Sequence, residues 1–275
     1  MKVIFSLYVD LPEDTNVDLG TIAKDKIAKK QFNNSREQLV ERQRQYAKQI
    51  GAEYIHLFND EESLSFIRHT KDKYSYLSHF DVVNFFKHHM MFELAKQYDH
   101  VCYFDLDIVP NTSDSIFEAF PLETFNVPVS NADALWGKIS LSTYYHDIRN
   151  PATKYWNAHA MLSHEDLPAD QNVYNTGIML ATADMIHKLN YFETFEEDMQ
   201  LMTFLKNDPD SIYPKAVQRV FNYDNETLFS YKVIKNNLPI TIIDDDWHYV
   251  LKDGMNIDSA KMYHVIDKKF ARFFK

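Results

Sequence analysis

The stretch Val101–Asn111, VCYFDLDIVPN, decides the reading of this chain. Val101 to Phe104 have the composition of a short buried β-strand, and the strand runs directly into two aspartates, Asp105 and Asp107. Side chains two apart on an extended chain point the same way, so both carboxylates face one side at the strand's end. Two hard oxygen donors there suit Mg²⁺ or Mn²⁺, and such an ion can stabilise a departing diphosphate. The same spacing at Asp208-Pro-Asp210 has no strand before it and reads as a turn. Asp244-Asp245-Asp246, after the apolar run Ile240–Ile243, is the stronger competitor.

Upstream, Lys2–Tyr8 (KVIFSLY) and Glu53–Phe58 (EYIHLF) are strand-like. A helix is expected from a cap at Ser35 to about Ile50, stopped by Gly51, and a second over residues 79–98, rich in Phe, Met and Leu. Strand, helix, strand, helix ahead of Val101 predicts a parallel α/β sheet with its ligand site beyond the carboxyl ends of the strands. Downstream, Ser113 is expected to cap a short helix, and Val127–Val129 reads as a strand. Asn175–Ala181 (NTGIMLA) reads as a strand followed by helical pattern to about Leu205. Thr227–Ile234 then reads as a helix, and Ile240–Ile243 and Lys261–Ile266 as the last strands. Residues 140–167 show no clean period and are expected to contain a mobile loop. With no repeat or linker, one domain over residues 1–275 is expected.

Composition narrows the function. The 275 residues are 45% hydrophobic and 15% aromatic, enough for a packed core and against disorder. A net charge of −11 lacks the footprint of a nucleic-acid binder, so no nucleic-acid partner is expected. A divalent cation would reconcile so acidic a protein with an anionic ligand. Five glycines, Gly20, Gly51, Gly137, Gly177 and Gly254, are all far apart. That excludes a P-loop and a dinucleotide fingerprint, so any phosphate must be held by metal and side chains. Cys102 is the single cysteine, which excludes an intramolecular disulfide and suits a reducing compartment. The apolar run at the N-terminus is too short for a signal peptide or a membrane span, and a cytoplasmic location is expected.

These motifs together resemble the GT-A glycosyltransferases, and in particular glycosyltransferase family eight, which includes glycogenin and bacterial galactosyltransferases. YFDLDIVPN resembles the family's metal-binding strand, and YNTGIMLA (Tyr174–Ala181) its Asn-x-Gly turn into a buried strand. NYDNETLFS (Asn222–Ser230) resembles the Asp-Gln-Asp segment, and MYHVIDKKF (Met262–Phe270) the closing His segment. The motifs occur in family order over nearly the whole chain. The resemblance implies a GT-A-like fold, a mixed and mainly parallel sheet flanked by helices.

It also implies roles. Asp105 and Asp107 would hold the metal, with Asp105 also on the donor ribose and His264 as third ligand; His248 is the substitute candidate. Where the family has Gly then Lys on the diphosphate, this chain has Asp267 followed by Lys268 and Lys269, a departure that leaves the lysines as the phosphate candidates. Asn175 and Gly177 would line the sugar and acceptor side. Asp224, Asn225 and Glu226 match the catalytic Asp-Gln-Asp segment only in part: Asp224 would hold the sugar hydroxyls and Asn225 would face the reacting carbon. The plainer reading of these three is a capped helix start. Lys87 would reach donor phosphate or sugar, and Ser6, Tyr8 and Asp10 would hold the nucleotide base, with Tyr8 stacking on uracil.

The expected reaction is metal-dependent transfer of a sugar from a nucleoside diphosphate sugar, a UDP-sugar by resemblance, to a glycan or lipid-linked acceptor with retention. Were the reaction inverting, Glu226 or Asp224 would be the base. Two rivals differ in class. In a haloacid-dehalogenase-type phosphatase, Asp105 would be the nucleophile, Asp107 the acid/base and Asp244–Asp246 the late magnesium acids. The other is a non-catalytic sugar-nucleotide binder on the same fold. The basic, aromatic tail DKKFARFFK offers a peripheral membrane contact. Packing of Phe270, Phe273 and Phe274 on the domain is the preferred reading of that tail.

Overall fold

The computed structural model describes residues 1–10, 19–129, 150–213, 215–219, 221–251, 257 and 260–274. Gly137, Gly254 and the early part of the stretch read as a loop, up to residue 149, lie outside them.

The deciding stretch forms β3 (His100–Phe104), buried from Val101 onward. On one side it pairs in parallel with β1 (Lys2–Tyr8), and β1 with β2 (Glu53–Phe58). On the other side β6 (Ile178–Thr182) runs antiparallel, Phe104 opposite Ile178. β5 (Phe125–Pro128) and β7 (Ile240–Ile243) complete the order β2-β1-β3-β6-β5-β7. Since β5 is antiparallel to β6 and parallel to β7, β6 alone opposes the rest. The mixed, mainly parallel sheet is thus the one expected. Alternation puts Ile4, Cys102 and Phe104 on one face and Val3, Phe5, Val101 and Tyr103 on the other, each in its own apolar cluster.

Helix α1 (Leu19–Gln49) covers the first face. It begins well before Ser35, because the preceding Ala, Lys and Gln residues are good helix formers and continue the helix through Ser35. Leu39, Val40, Gln43, Tyr46 and Ala47 recur at helical spacing and are buried. Gly51 ends it at φ 69°, in the left-handed region where a glycine stop belongs. The sequence reading omitted α2 (Glu61–Lys73), which Asp60 caps by accepting from Ser63 N. Helix α3 (His79–Ala95) starts in a reciprocal Ser78–Asp81 capping box. The short α4 (Ile116–Ala119) follows Ser115, not Ser113.

Two further expectations are corrected. Helix α5 (Asn150–His164) occupies part of the stretch read as a loop. Its apolar stripe is interrupted by the buried Asn157, whose Nδ2 donates to the Asn222 carbonyl at 2.6 Å, and the period is thereby obscured. The helical pattern after β6 is two helices, α6 (Ala183–Leu189) and α7 (Phe195–Asn207), separated at Asn190 with φ 48°. The short α8 (Lys215–Gln218) precedes α9 (Asn225–Lys235).

A second sheet positions the closing histidine. β4 (Ile108–Pro110) pairs antiparallel with β9 (Met262–His264), which pairs in parallel with β8 (Tyr249–Val250). β9 is shorter than the Lys261–Ile266 strand read from sequence, because Ile266 and Asp267 already belong to a turn. In the tail, Phe270 is fully buried against Phe32, and Phe273 and Phe274 pack on the same cluster. No helix among the described residues is long and apolar enough to cross a membrane.

Candidate metal and donor site

Asp105 and Asp107 sit in the turn between β3 and β4, at the carboxyl edge of the parallel strands. The turn is pinned on both sides. Asp105 N donates to the Gly177 carbonyl at 2.8 Å, and Ile108 N donates to the Asp105 carbonyl at 2.9 Å. From α1, Gln43 Nε2 donates to the carbonyls of Asp105 (3.0 Å) and Ile108 (2.8 Å). Tyr54 OH donates to Gln43 Oε1 at 3.0 Å, so Tyr54 accepts from Ser6, 2.7 Å away. His56 Nδ1, 3.0 Å from Ser6 Oγ, must then be the donor to it. A directional chain therefore runs from His56 through Ser6, Tyr54 and Gln43 to the aspartate turn.

Ile108 lies opposite His264 in the β4–β9 ladder, which brings the imidazole to the carboxylates. His264 Nε2 is 3.3 Å from Asp107 Oδ2 and 3.9 Å from Asp105 Oδ2. One donor atom from each of the three residues lies within 4.8 Å of the other two, the sole such group of three among the described residues. Gly177 keeps the space open: a Cβ there would stand 2.9 Å from His264 Cε1 and 3.1 Å from Asp105 Oδ2. Asp244, Asp245 and Asp246 do not join the group. His248 stands behind it, its Nε2 2.8 Å from His264 Nδ1.

Positive charge already converges on these carboxylates. Lys268 Nζ pairs with Asp107 Oδ2. Burial alone would raise the Asp107 pKa, but Lys268 and His264 outweigh it and hold the carboxyl well below the usual range. Burial likewise opposes charge on His264, and the carboxylates of Asp107 and then Asp105 outweigh it, raising its pKa. Lys268 takes φ 56°, a left-handed conformation unusual for a side chain of this kind. Asp267, where the family resemblance puts glycine, does not have a positive φ. Two carboxylate oxygens and an imidazole nitrogen, held around a gap where cations gather, fit a borderline-hard divalent ion.

The other candidates divide by position. Lys87 Nζ, buried, lies 3.8 Å from Asp105 Oδ1 and donates to the Thr176 carbonyl at 3.2 Å. Tyr103 OH donates to the same Asp105 oxygen at 2.6 Å. Asn175 Oδ1 accepts from Gly177 N at 2.9 Å, and its Nδ2 donates to Glu226 Oε1 at 2.9 Å. Glu226 also accepts from Thr176 N at 3.3 Å and pairs with Lys154 at 2.6 Å. Asp224 caps α9, accepting from Glu226 N and Thr227 N, so the helix-start reading of this segment holds. Asn225 is buried, its Nδ2 donating to Thr176 Oγ1 at 2.7 Å. Ser6 is fully buried in the chain described above. Tyr8 lies at the strand end, parallel to the Phe58 ring, and Asp10 pairs with Lys29 at 2.6 Å. Lys269 is exposed.

Sequence reasoning missed Lys154, Thr176, Tyr103 and Gln43. Tyr103 and Thr176 lie inside the quoted motifs, at positions to which the resemblance gives no role, and Lys154 and Gln43 carry no local motif. Lys154 lies on the helix that the sequence reading left as a loop, and Gln43 shows itself only as a polar residue on the apolar stripe of α1.

A sequence model described as glycosyl transferase family 8 matches residues 17–223, about three quarters of the chain. No curated protein matches the chain. Among solved structures, mouse xyloside xylosyltransferase 1 is similar at 13% identity and TM-score 0.43, covering 97% of this chain and 98% of that one. A glycosyltransferase involved in glycosylation of the major capsid of PBCV-1 gives 12%, 0.44, 99% and 98%. The galactosyltransferase LgtC, in complex with donor and acceptor sugar analogs, gives 10%, 0.44, 97% and 87%. At these values the assignment rests on the sequence match.

Proposed function

Because the chain belongs to glycosyl transferase family 8, we propose that this glycosyltransferase moves a sugar from a UDP-sugar to a hydroxyl of a glycan or lipid-linked acceptor, with retention. The phosphatase and the non-catalytic binder are set aside by the family match. The observation that carries the proposal is the convergence of Asp105, Asp107 and His264 at one strand edge.

Those three residues would hold Mn²⁺ or Mg²⁺, and when bound the ion supplies neutralisation of the donor diphosphate. Lys268 is the nearest ammonium to Asp107 and exchanges that carboxylate for phosphate when the donor enters. Tyr103 and Lys87 hold Asp105 from the side facing Thr176, fixing the direction of its Oδ2. Asn175 and Gly177 border the same space on the sugar side.

Glu226 supports retention over inversion. Its carboxylate is engaged by Asn175, by Thr176 N and by Lys154. With both of its oxygens already engaged by these donors, the carboxylate is poorly placed to face an acceptor hydroxyl. Its work is to hold Asn175 and, through α9, the Asp224–Asn225 start. Tyr8 with Phe58, and Arg36 whose guanidinium lies 3.6 Å over the Phe58 ring, form an aromatic and cationic end to the site that suits a nucleobase.

The test is a screen of nucleoside diphosphate sugars for Mn²⁺-dependent release of nucleoside diphosphate, with and without EDTA. Release is expected with a UDP-sugar and is expected to vanish in Asp107→Ala. Full activity of that variant, or in EDTA, would discard the metal site.

A further inference from the structure

The acidic triplet Asp244-Asp245-Asp246 takes no part in the candidate site, yet the turn it opens carries a buried histidine directly behind a ligand candidate. Asp244 Oδ1 accepts from Asp246 N and Trp247 N at 3.1 Å each, and its carbonyl accepts from His248 N at 2.9 Å. Trp247 packs edge-on against Phe120. Beyond the turn, Val250 lies opposite His264 in the β8–β9 ladder, and Leu251 N donates to the His264 carbonyl at 2.9 Å. The two backbones are locked together, and the two rings meet at 62° with centroids 5.0 Å apart.

The direction of the bond between these rings has a chemical consequence. His264 turns Nε2 toward Asp107 and Asp105, and Nδ1 toward His248 Nε2. An imidazole that offers its Nε2 lone pair to a cation carries its remaining proton on Nδ1. That proton sits at a buried contact and needs an acceptor there, and His248 Nε2 stands 2.8 Å away. A neutral imidazole accepts at one nitrogen while carrying its own proton on the other.

We infer that His248 is a positioning residue for the metal site: its Nε2 accepts the Nδ1 proton of His264, selecting the tautomer that leaves His264 Nε2 bare toward Asp105 and Asp107. The inference rests on the metal reading above. It assigns the Asp244–His248 turn a task, which is to carry this acceptor.

The experiment compares wild type with His248→Leu and His248→Gln. Leucine removes the acceptor, whereas the glutamine carbonyl keeps one. Imidazole ¹⁵N spectra of the proteins with diamagnetic Zn²⁺ added, where a cation rather than a proton answers the carboxylates facing Nε2, report the His264 tautomer directly. Wild type and the Gln variant are expected to show a bare Nε2 and a protonated Nδ1, and the Leu variant a shift of the proton toward Nε2. Mn²⁺ binding, read from the electron paramagnetic resonance of the free ion, is expected to weaken about 10- to 100-fold in the Leu variant and to be largely retained in the Gln variant. An unchanged tautomer and affinity in a folded Leu variant would overturn the role of His248 alone. A folded Gln variant with its His264 proton on Nε2 would do the same if the Leu variant does not fold. Folded wild type that takes up no Mn²⁺ overturns the metal reading and this inference with it.

Discussion

Gly177 and Asp105 are joined by a hydrogen bond from the Asp105 amide to the Gly177 carbonyl at 2.8 Å, and a Cβ on Gly177 would stand 3.1 Å from Asp105 Oδ2. The glycine thus serves as a strand partner whose missing side chain leaves the ligand space open.

Gly177→Ala should therefore damage the site more than the fold. The added methyl would also meet Asn175 Oδ1 and His264 Cε1 at 2.9 Å each, so all three neighbours must shift. A stability loss of about 1–3 kcal/mol is expected from overpacking, with Mn²⁺ affinity reduced at least about tenfold. Calorimetric titration beside a thermal melt separates the two, and unchanged affinity would contradict the geometry.

Lys154 pairs with Glu226 at 2.6 Å and lies 3.6 Å from Asp224, so its removal leaves two carboxylates without their cation. Lys154→Met should cost roughly 2–4 kcal/mol, less than a fully buried pair because the lysine is partly exposed. Combining it with Glu226→Gln should cost less than the sum, with a coupling of about 1–3 kcal/mol. Urea unfolding of wild type, both single variants and the double variant measures this, and strict additivity would remove the pair from the account.

Lys268 pairs with the Asp107 carboxylate that a metal would take. Lys268→Met should strengthen Mn²⁺ binding without nucleotide, by about fivefold if removing a charge at close range is worth about 1 kcal/mol. The same variant should bind UDP with Mn²⁺ more weakly, having lost a phosphate partner. Calorimetry in the two conditions should give opposite signs; the same sign in both would rule out the exchange.

His56 predicts a pH dependence. Burial, with Arg36 and Arg44 adding to it, lowers its pKa to about 4. Between that value and the unfolded value near 6.5 the unfolded chain binds the extra proton, so stability rises with pH across this window and is lost as pH falls through it. The slope from this one group is at most about 1.4 kcal/mol per pH unit. In His56→Leu the acid side of the stability profile between about pH 4 and 6.5 should be flatter by up to that amount. An identical profile from urea unfolding at several pH values would show that His56 binds its proton equally well in the folded and unfolded chains.

The sequence alone determined the strand Lys2–Tyr8, the Val101–Phe104 strand ending in two aspartates, the glycine stop of α1 and the family order of the four motifs. Each is a local property: apolar runs, turn residues and i, i+2 spacing act over a few residues. It lost α5 because a buried Asn157 interrupts the period, and it began α1 too late because a polar helix face resembles a loop. The tertiary structure decided the rest. Which histidine meets Asp107 depends on the β4–β9 ladder, which carbonyls Gln43 holds depends on how α1 lies on the sheet, and whether Glu226 is free depends on Lys154 from a distant helix. These pairings join residues far apart in the chain. A chain's local pattern carries no record of them, because they form only when burial brings apolar faces together and leaves each buried polar group to find a partner.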